Sequence, residues 1–181
     1  MKISKTDLEG CFIIEPKLFE DHRGYFFEGF NASTFMNFTG IDFEVKQMNC
    51  SKSEKGVIRG LHFQKQPYEQ AKLVFVTKGE VLDVIVDLRL ESPTFGKHTK
   101  VLLSQENLKR VFIPKGFAHG FLSLTDEAEL NYLVDEFYNS DYDSGIHYAD
   151  TDLNIDWGIS SAKTILSEKD KELQNFKNYV S

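Results

Sequence analysis

Two of the five histidines stand where an imidazole could do chemistry: His62 in KGVIRGLHFQKQ and His119 in IPKGFAHGF. Gly56 and Gly60 precede His62, and a Pro-Lys-Gly turn precedes His119 at the start of an apolar run. Imidazole titrates near neutrality, so it can act as general acid or base, and in its neutral form it ligates metals. Three readings of the pair stay open at this level. They are metal ligands, a catalytic pair, or hydrogen-bonded histidines in a packed wall. His22, His98 and His147 lie in no comparable setting.

The elements that must position these residues read as strands. AKLVFVTKGEVLDVIVDLRL is dense in Val, Leu, Ile and Phe and is broken at Gly79, which predicts two core strands joined by a short turn. TKVLLS, KRVFIP, HGFLSL, AELNYLVDEFY and, earlier, GYFFEGF add further strands, separated by SPTFGK, SQEN, PKG and TDE. Many short strands at regular spacing predict an all-β sandwich or barrel. Helix is a minority. NASTFMNF predicts a short one capped by Asn31 or Ser33, and SEKDKELQNF a second, since Ser167 and Asp170 have capping-box spacing. With no internal repeat and no linker, residues 1–181 are expected to form a single domain.

Composition narrows the function classes. The 181 residues are 41% hydrophobic, enough for one sizeable core. A formal net charge of -7 argues against non-specific nucleic-acid binding, yet a local cluster of cations can still bind a small anion. The N-terminus lacks a long apolar segment, so neither a secretory leader nor a membrane span is expected. Cys11 and Cys50 have no metal or redox spacing. A disulfide and a pair of buried free thiols both fit the count, and the second agrees with a reducing cytoplasm.

The spacing around the histidines is similar to that of the cupins, which implies a jelly-roll barrel. Gly56 to His62 resembles their first motif, together with Gly79, and PKGFAH resembles their second. A metal-binding cupin has a second His two residues after the first, where this chain has Gln64, and a Glu seven residues before the glycine, where it has Lys72. A protonated lysine cannot ligate a divalent cation, and an amide is a poor transition-metal ligand. The pocket is therefore expected to work without a metal.

The chain more closely resembles the dTDP-4-dehydrorhamnose 3,5-epimerase family. The resemblance rests on FEDHRGYFFEGF, KQMNCSKSEKGVIRGLHFQ, QAKLVFVTKGEVLDVIVDLRLESPTFGK, IPKGFAHGFLSLTDEAELNY and ILSEKD, in family order. It implies epimerisation at C3 and C5 of dTDP-4-dehydro-6-deoxy-D-glucose, a step towards dTDP-L-rhamnose and cell-surface polysaccharide in bacteria. No cofactor is implied, because the C4 ketone already acidifies the hydrogens on C3 and C5. The reaction needs a base on one face of the ring, an acid on the other and a cation at the enolate oxygen.

The resemblance also assigns residues. His62 matches the base, Asp170 its orienting carboxylate, Tyr132 the opposing acid and Lys72 the cation at the keto oxygen. Arg23 and Arg59 match pyrophosphate contacts, a task suited to guanidinium. Glu28, Gln47 and Asn49 match nucleotide or sugar contacts, His119 a second active-site histidine, Lys169 a further contact, and Tyr138 an aromatic stacked on thymine. Phe19 and Arg23 match residues that reach a neighbouring subunit's pocket, so a homodimer is implied. Asp143 stands where the family often has Glu. His147, Tyr148, Ala149 and Thr151 depart from the family's usual I-R-W-N-D-P segment, which bears on nucleotide or sugar fit. Other readings are a monoepimerase on a related nucleotide-linked keto sugar, a 3,4-ketoisomerase, a metal-dependent cupin oxygenase and a non-catalytic sugar-binding cupin.

Overall fold

The structure, a computed structural model, describes residues 1–180. Thirteen strands dominate it: β1 (Lys2–Lys5), β2 (Phe12–Glu15), β3 (Leu18–Asp21), β4 (Gly24–Phe27), β5 (Gln47–Ser53), β6 (Ile58–Gln64), β7 (Lys72–Lys78), β8 (Glu80–Asp87), β9 (His98–Ser104), β10 (Arg110–Ile113), β11 (Phe117–Ser123), β12 (Ala128–Val134) and β13 (Asp143–Gly145). They form a six-stranded sheet, β1-β2-β10-β7-β12-β5, facing a five-stranded sheet, β13-β6-β11-β8-β9. The β3–β4 hairpin stands apart from both. This is the expected jelly-roll architecture.

Three apolar layers hold it together. Between the sheets lie Val74, Val76, Val81, Ile85, Val101, Leu103, Phe117 and Phe121. Behind the five-stranded sheet, Leu61, Val84, Val86, Ala118 and Leu122 pack against Ile146, Leu153 and Trp157 from the C-terminal segment. Behind the six-stranded sheet, Phe12, Leu73 and Phe112 pack against Phe35 of helix α1 (Ala32–Thr39). Asn31 caps that helix by accepting from the Thr34 amide. Strand residues alternate between two apolar layers, which is why the central strands read as nearly continuous apolar runs.

The two core strands expected on either side of Gly79 both form, and they lie in different sheets. β7 belongs to the six-stranded sheet and β8 to the five-stranded one, so the turn carries the chain across the sandwich. Gly79 has φ 72°, and an added Cβ would lie 2.3 Å from the Thr125 hydroxyl. The second helix does not run through SEKDKELQNF. It forms one turn, α2 (Glu168–Lys171), and the chain re-enters helix only at α3 (Phe176–Val180). Between them Gln174 accepts from the His147 amide at 2.8 Å, and this bridge to the strand region interrupts the helix. Both cysteines are free. Cys11 is buried as expected, but Cys50 is exposed on edge strand β5.

Candidate active site

A cavity of about 230 Å³ opens between the sheets, lined by Ser51, Arg59, His62, Lys72, His119, Gly120, Phe121, Leu130 and Tyr132. A second chamber of about 220 Å³ shares His62, Lys72 and Tyr132 and adds Gln64, Gln70, Tyr138, Asp143 and Lys169. Strand alternation delivers most of these groups. On β7, Lys72 shares the inward face with Val74 and Val76. On β12, Tyr132 follows Ala128 and Leu130 inward, and on β11, His119 sits between Phe117 and Phe121.

β6 breaks this alternation. Arg59 and His62 are three residues apart, so a regular strand would point them to opposite faces. Opposite β11, the register runs His119 to His62 and then Phe121 to Arg59, which leaves β6 one residue longer at that point. The bulge turns both side chains into the cavity and sends Leu61 to the outer apolar layer. Gly60 and Gly120 make it sterically feasible. A Cβ on Gly60, at φ 119°, would lie 2.6 Å from the Gly120 Cα, and one on Gly120 would lie 2.7 Å from the Arg59 carbonyl oxygen. The R-G-L-H spacing is thus a backbone device that puts an arginine and a histidine on one wall.

His62 Nε2 lies 2.5 Å from Asp170 Oδ1. Asp170 is buried on α2, while the imidazole remains about one-third exposed. Burial pushes the Asp170 carboxyl up, but hydrogen bonding to His62 and to Ser167 outweighs it and holds the group below the usual carboxylate range. Only half of a capping box forms: Ser167 Oγ accepts from the Asp170 amide, while the Asp170 side chain turns to His62. With Nε2–H directed at the carboxylate, the lone pair of neutral His62 is on Nδ1.

Lys72 is buried, and among the described residues no carboxylate pairs with its ammonium. Burial pushes its pKa down to about 8, against the pull of Asp143 and Asp83. Its Nζ lies 5.9 Å from the centre of the Tyr132 ring. Burial raises the Tyr132 phenol, with Arg59 opposing, so the phenol stays a proton donor. Arg59 is itself held by Ser53 Oγ and the Lys52 carbonyl, both at 3.1 Å.

The other expected residues divide. His119 is buried, with Nε2 2.6 Å from Asp83 Oδ2. Asp143 accepts from the Tyr138 hydroxyl at 2.9 Å and pairs with Lys169. Gln47 donates to Asn49 at 2.8 Å on the inward face of β5, but neither residue lines the two chambers. Glu28 is exposed and accepts from Asn31 at the start of α1. Phe19 and Arg23 lie on the exposed β3–β4 hairpin, where Arg23 pairs with Asp21 at 2.6 Å. They do not enter this chain's own pocket.

The departing segment at residues 146–151 also lies outside both chambers. Ile146 and Tyr148 pack in the outer apolar layer, and Asp150 accepts from the amides of Asp152, Leu153 and Phe176. Sequence reasoning missed Ser51 and Asp83. Asp83 lies between Val81 and Ile85 on the inter-sheet face of β8, and a carboxylate there requires a partner, which His119 supplies. That polar break in an apolar strand was the available signal.

A base paired with a carboxylate, a phenol on the facing sheet and a buried cation suit proton transfer beside a carbonyl. A family profile described as dTDP-4-dehydrorhamnose 3,5-epimerase matches residues 5–178. The chain belongs to that family. A family member from Shigella flexneri is 48% identical over 176 residues, covering 97% of this chain and 96% of the relative. The dTDP-4-dehydrorhamnose 3,5-epimerase of Elizabethkingia anophelis superposes with a TM-score of 0.96 at 49% identity, covering 98% and 97% of the two chains. The Legionella pneumophila dTDP-6-deoxy-D-glucose-3,5-epimerase, solved with dTDP-4-keto-L-rhamnose, superposes at 0.92 with 44% identity, covering 97% of this chain and 93% of that one. Membership makes the chain an epimerase with the cupin-type fold of its family.

Proposed function

We propose that this pocket epimerises C3 and C5 of dTDP-4-dehydro-6-deoxy-D-glucose to give dTDP-4-dehydro-L-rhamnose. The observation that carries this is the placement of His62 and Tyr132 on facing sheets of one cavity, with Lys72 beside both. A sugar ring between the sheets presents one face to the imidazole and the other to the phenol. His62 Nδ1 removes the proton next to the C4 ketone, and the imidazolium formed is stabilised by Asp170. The Lys72 ammonium takes up the negative charge growing on the C4 oxygen. Tyr132 delivers a proton from the opposite face, which inverts the centre, and solvent then takes the proton from His62 and returns one to Tyr132 before the second carbon reacts. Stabilising such an enolate lowers the barrier by several kcal/mol, on the order of 3.

Nucleotide binding extends from the same pocket. We assign Arg59, on the wall of the first cavity, to the pyrophosphate, and Tyr138, Asp143 and Lys169 border the second chamber. Gln47 and Asn49 continue the polar face of β5 towards it. Phe19 and Arg23 take part from a second copy: their hairpin is exposed and separate from both sheets, which fits an arm that docks on a neighbour. Glu28, at the base of that arm, goes with it. Residues 1–181 act as one domain, since the inter-sheet layer is built from strands spread along the chain. Among the described residues no helix is long and apolar enough to cross a membrane. We place the reaction in the cytoplasm, which the two free thiols support.

The test is product identity. NMR of dTDP-4-dehydro-6-deoxy-D-glucose incubated with the protein, with chelator present, is expected to show inversion at both C3 and C5. Inversion at one carbon alone would assign a monoepimerase, and an unchanged substrate would refute the epimerase reading.

A further inference from the structure

Two residues beyond His62 on β6, Gln64 is buried, and its amide is directed at main chain. Its Nε2 donates to the Tyr68 carbonyl at 2.6 Å and to the Phe137 carbonyl at 3.1 Å. Its Oε1 accepts from the Asn139 amide at 2.6 Å. Two more glutamines hold the same stretch. Gln70 donates to the Glu136 carbonyl at 2.8 Å, and Gln47 accepts from the Tyr138 amide at 3.1 Å. Each residue from Glu136 to Asn139 therefore has a main-chain group held by a glutamine side chain.

This strap leads from β12, which carries Tyr132, towards β13, which carries Asp143. Burial does not fix it, because Phe137 and Tyr138 are 58% and 56% exposed. Outer contacts add to the clamp: Glu136 accepts from the Phe137 amide and pairs with Lys46. Gln64 is the buried member and the one that reaches two strap residues. A primary amide carries two N–H groups and a carbonyl on one planar unit, which matches two carbonyls and an amide. A carboxylate would set an oxygen against two carbonyls. Imidazole has only two ring nitrogens for three partners.

We propose that Gln64 is a positioning residue for the nucleotide end of the substrate, acting through the strap to hold Tyr138 at the mouth of the second chamber. This rests on the reading that Tyr138 contacts the base. The Tyr138 hydroxyl is tied to Asp143, which lies opposite Gln64 in the β6–β13 register. Gln64 thus braces both ends of that contact. The position that would hold a metal ligand in a metal-binding cupin here fastens a loop to the strand of the base.

The test compares Gln64→Leu, Gln64→Glu and Tyr138→Ala with the wild-type protein, using steady-state kinetics on the dTDP keto sugar and calorimetric titration with dTDP. Thermal melting confirms that each variant is folded. In Gln64→Leu, KM and the dTDP Kd are expected to rise about tenfold, with kcat within about threefold. Gln64→Glu keeps the shape of the side chain but not the donors, and gives a similar rise if the leucine variant does not fold. On a Tyr138→Ala background, a Gln64 substitution is expected to add less than about twofold. A fall in kcat at unchanged KM, or a full additive effect without Tyr138, would overturn the proposal. A wild-type protein that neither epimerises the sugar nor binds dTDP would overturn the parent reading as well, and shows itself before any variant is made.

Discussion

At Lys72, burial and charge oppose each other. An unfolded lysine titrates near 10.5, whereas this one titrates near 8 because of burial. The folded protein therefore binds fewer protons between those values, and its stability rises as pH climbs from about 8 to 10.5. At neutral pH, holding the cation costs about 3 kcal/mol. Lys72→Met is expected to gain stability of that order in denaturant melts at pH 7. It is also expected to lose 10²- to 10³-fold in kcat, roughly the loss seen on removing one charge-stabilising donor. In the proposed mechanism Lys72 works as the cation, so kcat/KM should fall as pH rises through about 8. Lys72→Arg, even if slower, should move that limb upward.

Asp170 has two contacts that can be separated by substitution. Its amide caps α2 through Ser167, and its carboxylate serves His62, so the two roles separate by chemistry. Asp170→Asn keeps the amide contact and should leave the melting temperature within a few degrees, while kcat falls about 100-fold or more. Equal activity in that variant would remove the carboxylate from the mechanism. Lys72 and Asp170 were legible in the sequence because the resemblance named them, but burial of the lysine was not. Asp83 was not legible as a partner because its meaning depends on His119, 36 residues away in the chain.

At the scale of elements, the β6 bulge has most to do with function. Sequence patterning found β7, β8 and β12 because they run as dense apolar segments. It did not find that the Gly79 turn switches sheets, since apolar runs look alike whichever sheet they join. Nor did it find the bulge, which depends on the packing of Gly60 against Gly120 on another strand. Gly60→Ala is expected to destabilise the protein by about 3 kcal/mol and to reduce kcat more than tenfold. Denaturant melts and kinetics on the folded fraction check this. The added methyl group would have to displace the backbone that carries both His62 and His119.

For the whole molecule, the exposed β3–β4 hairpin sets the prediction. Its apolar side chains Phe19, Tyr25 and Phe26 are 54%, 58% and 69% exposed, a patch that fits a docking arm. If Arg23 serves a neighbour's pocket, inactive subunits should complement one another. Arg23→Ala and His62→Ala proteins are each expected to be poorly active alone. Mixed dimers should regain a site in which an intact His62 meets an intact Arg23. Mixing after reversible dissociation, followed by an activity assay, reads this directly. No recovery in verified heterodimers would place Arg23 elsewhere. The sequence pointed to the arm only by resemblance, since GYFFEGF reads as one more apolar strand whatever surface it covers.

In the proposed mechanism one base and one acid act from opposite sheets on carbons beside a ketone. Solvent exchange in deuterium oxide, read by NMR at C3 and C5 of the dTDP keto sugar, separates their roles. The wild-type protein should incorporate deuterium at both carbons, and His62→Ala at neither. Tyr132→Phe should still exchange but fail to complete inversion. Exchange that persists in His62→Ala, or full inversion by Tyr132→Phe, would contradict the assignment of base and acid.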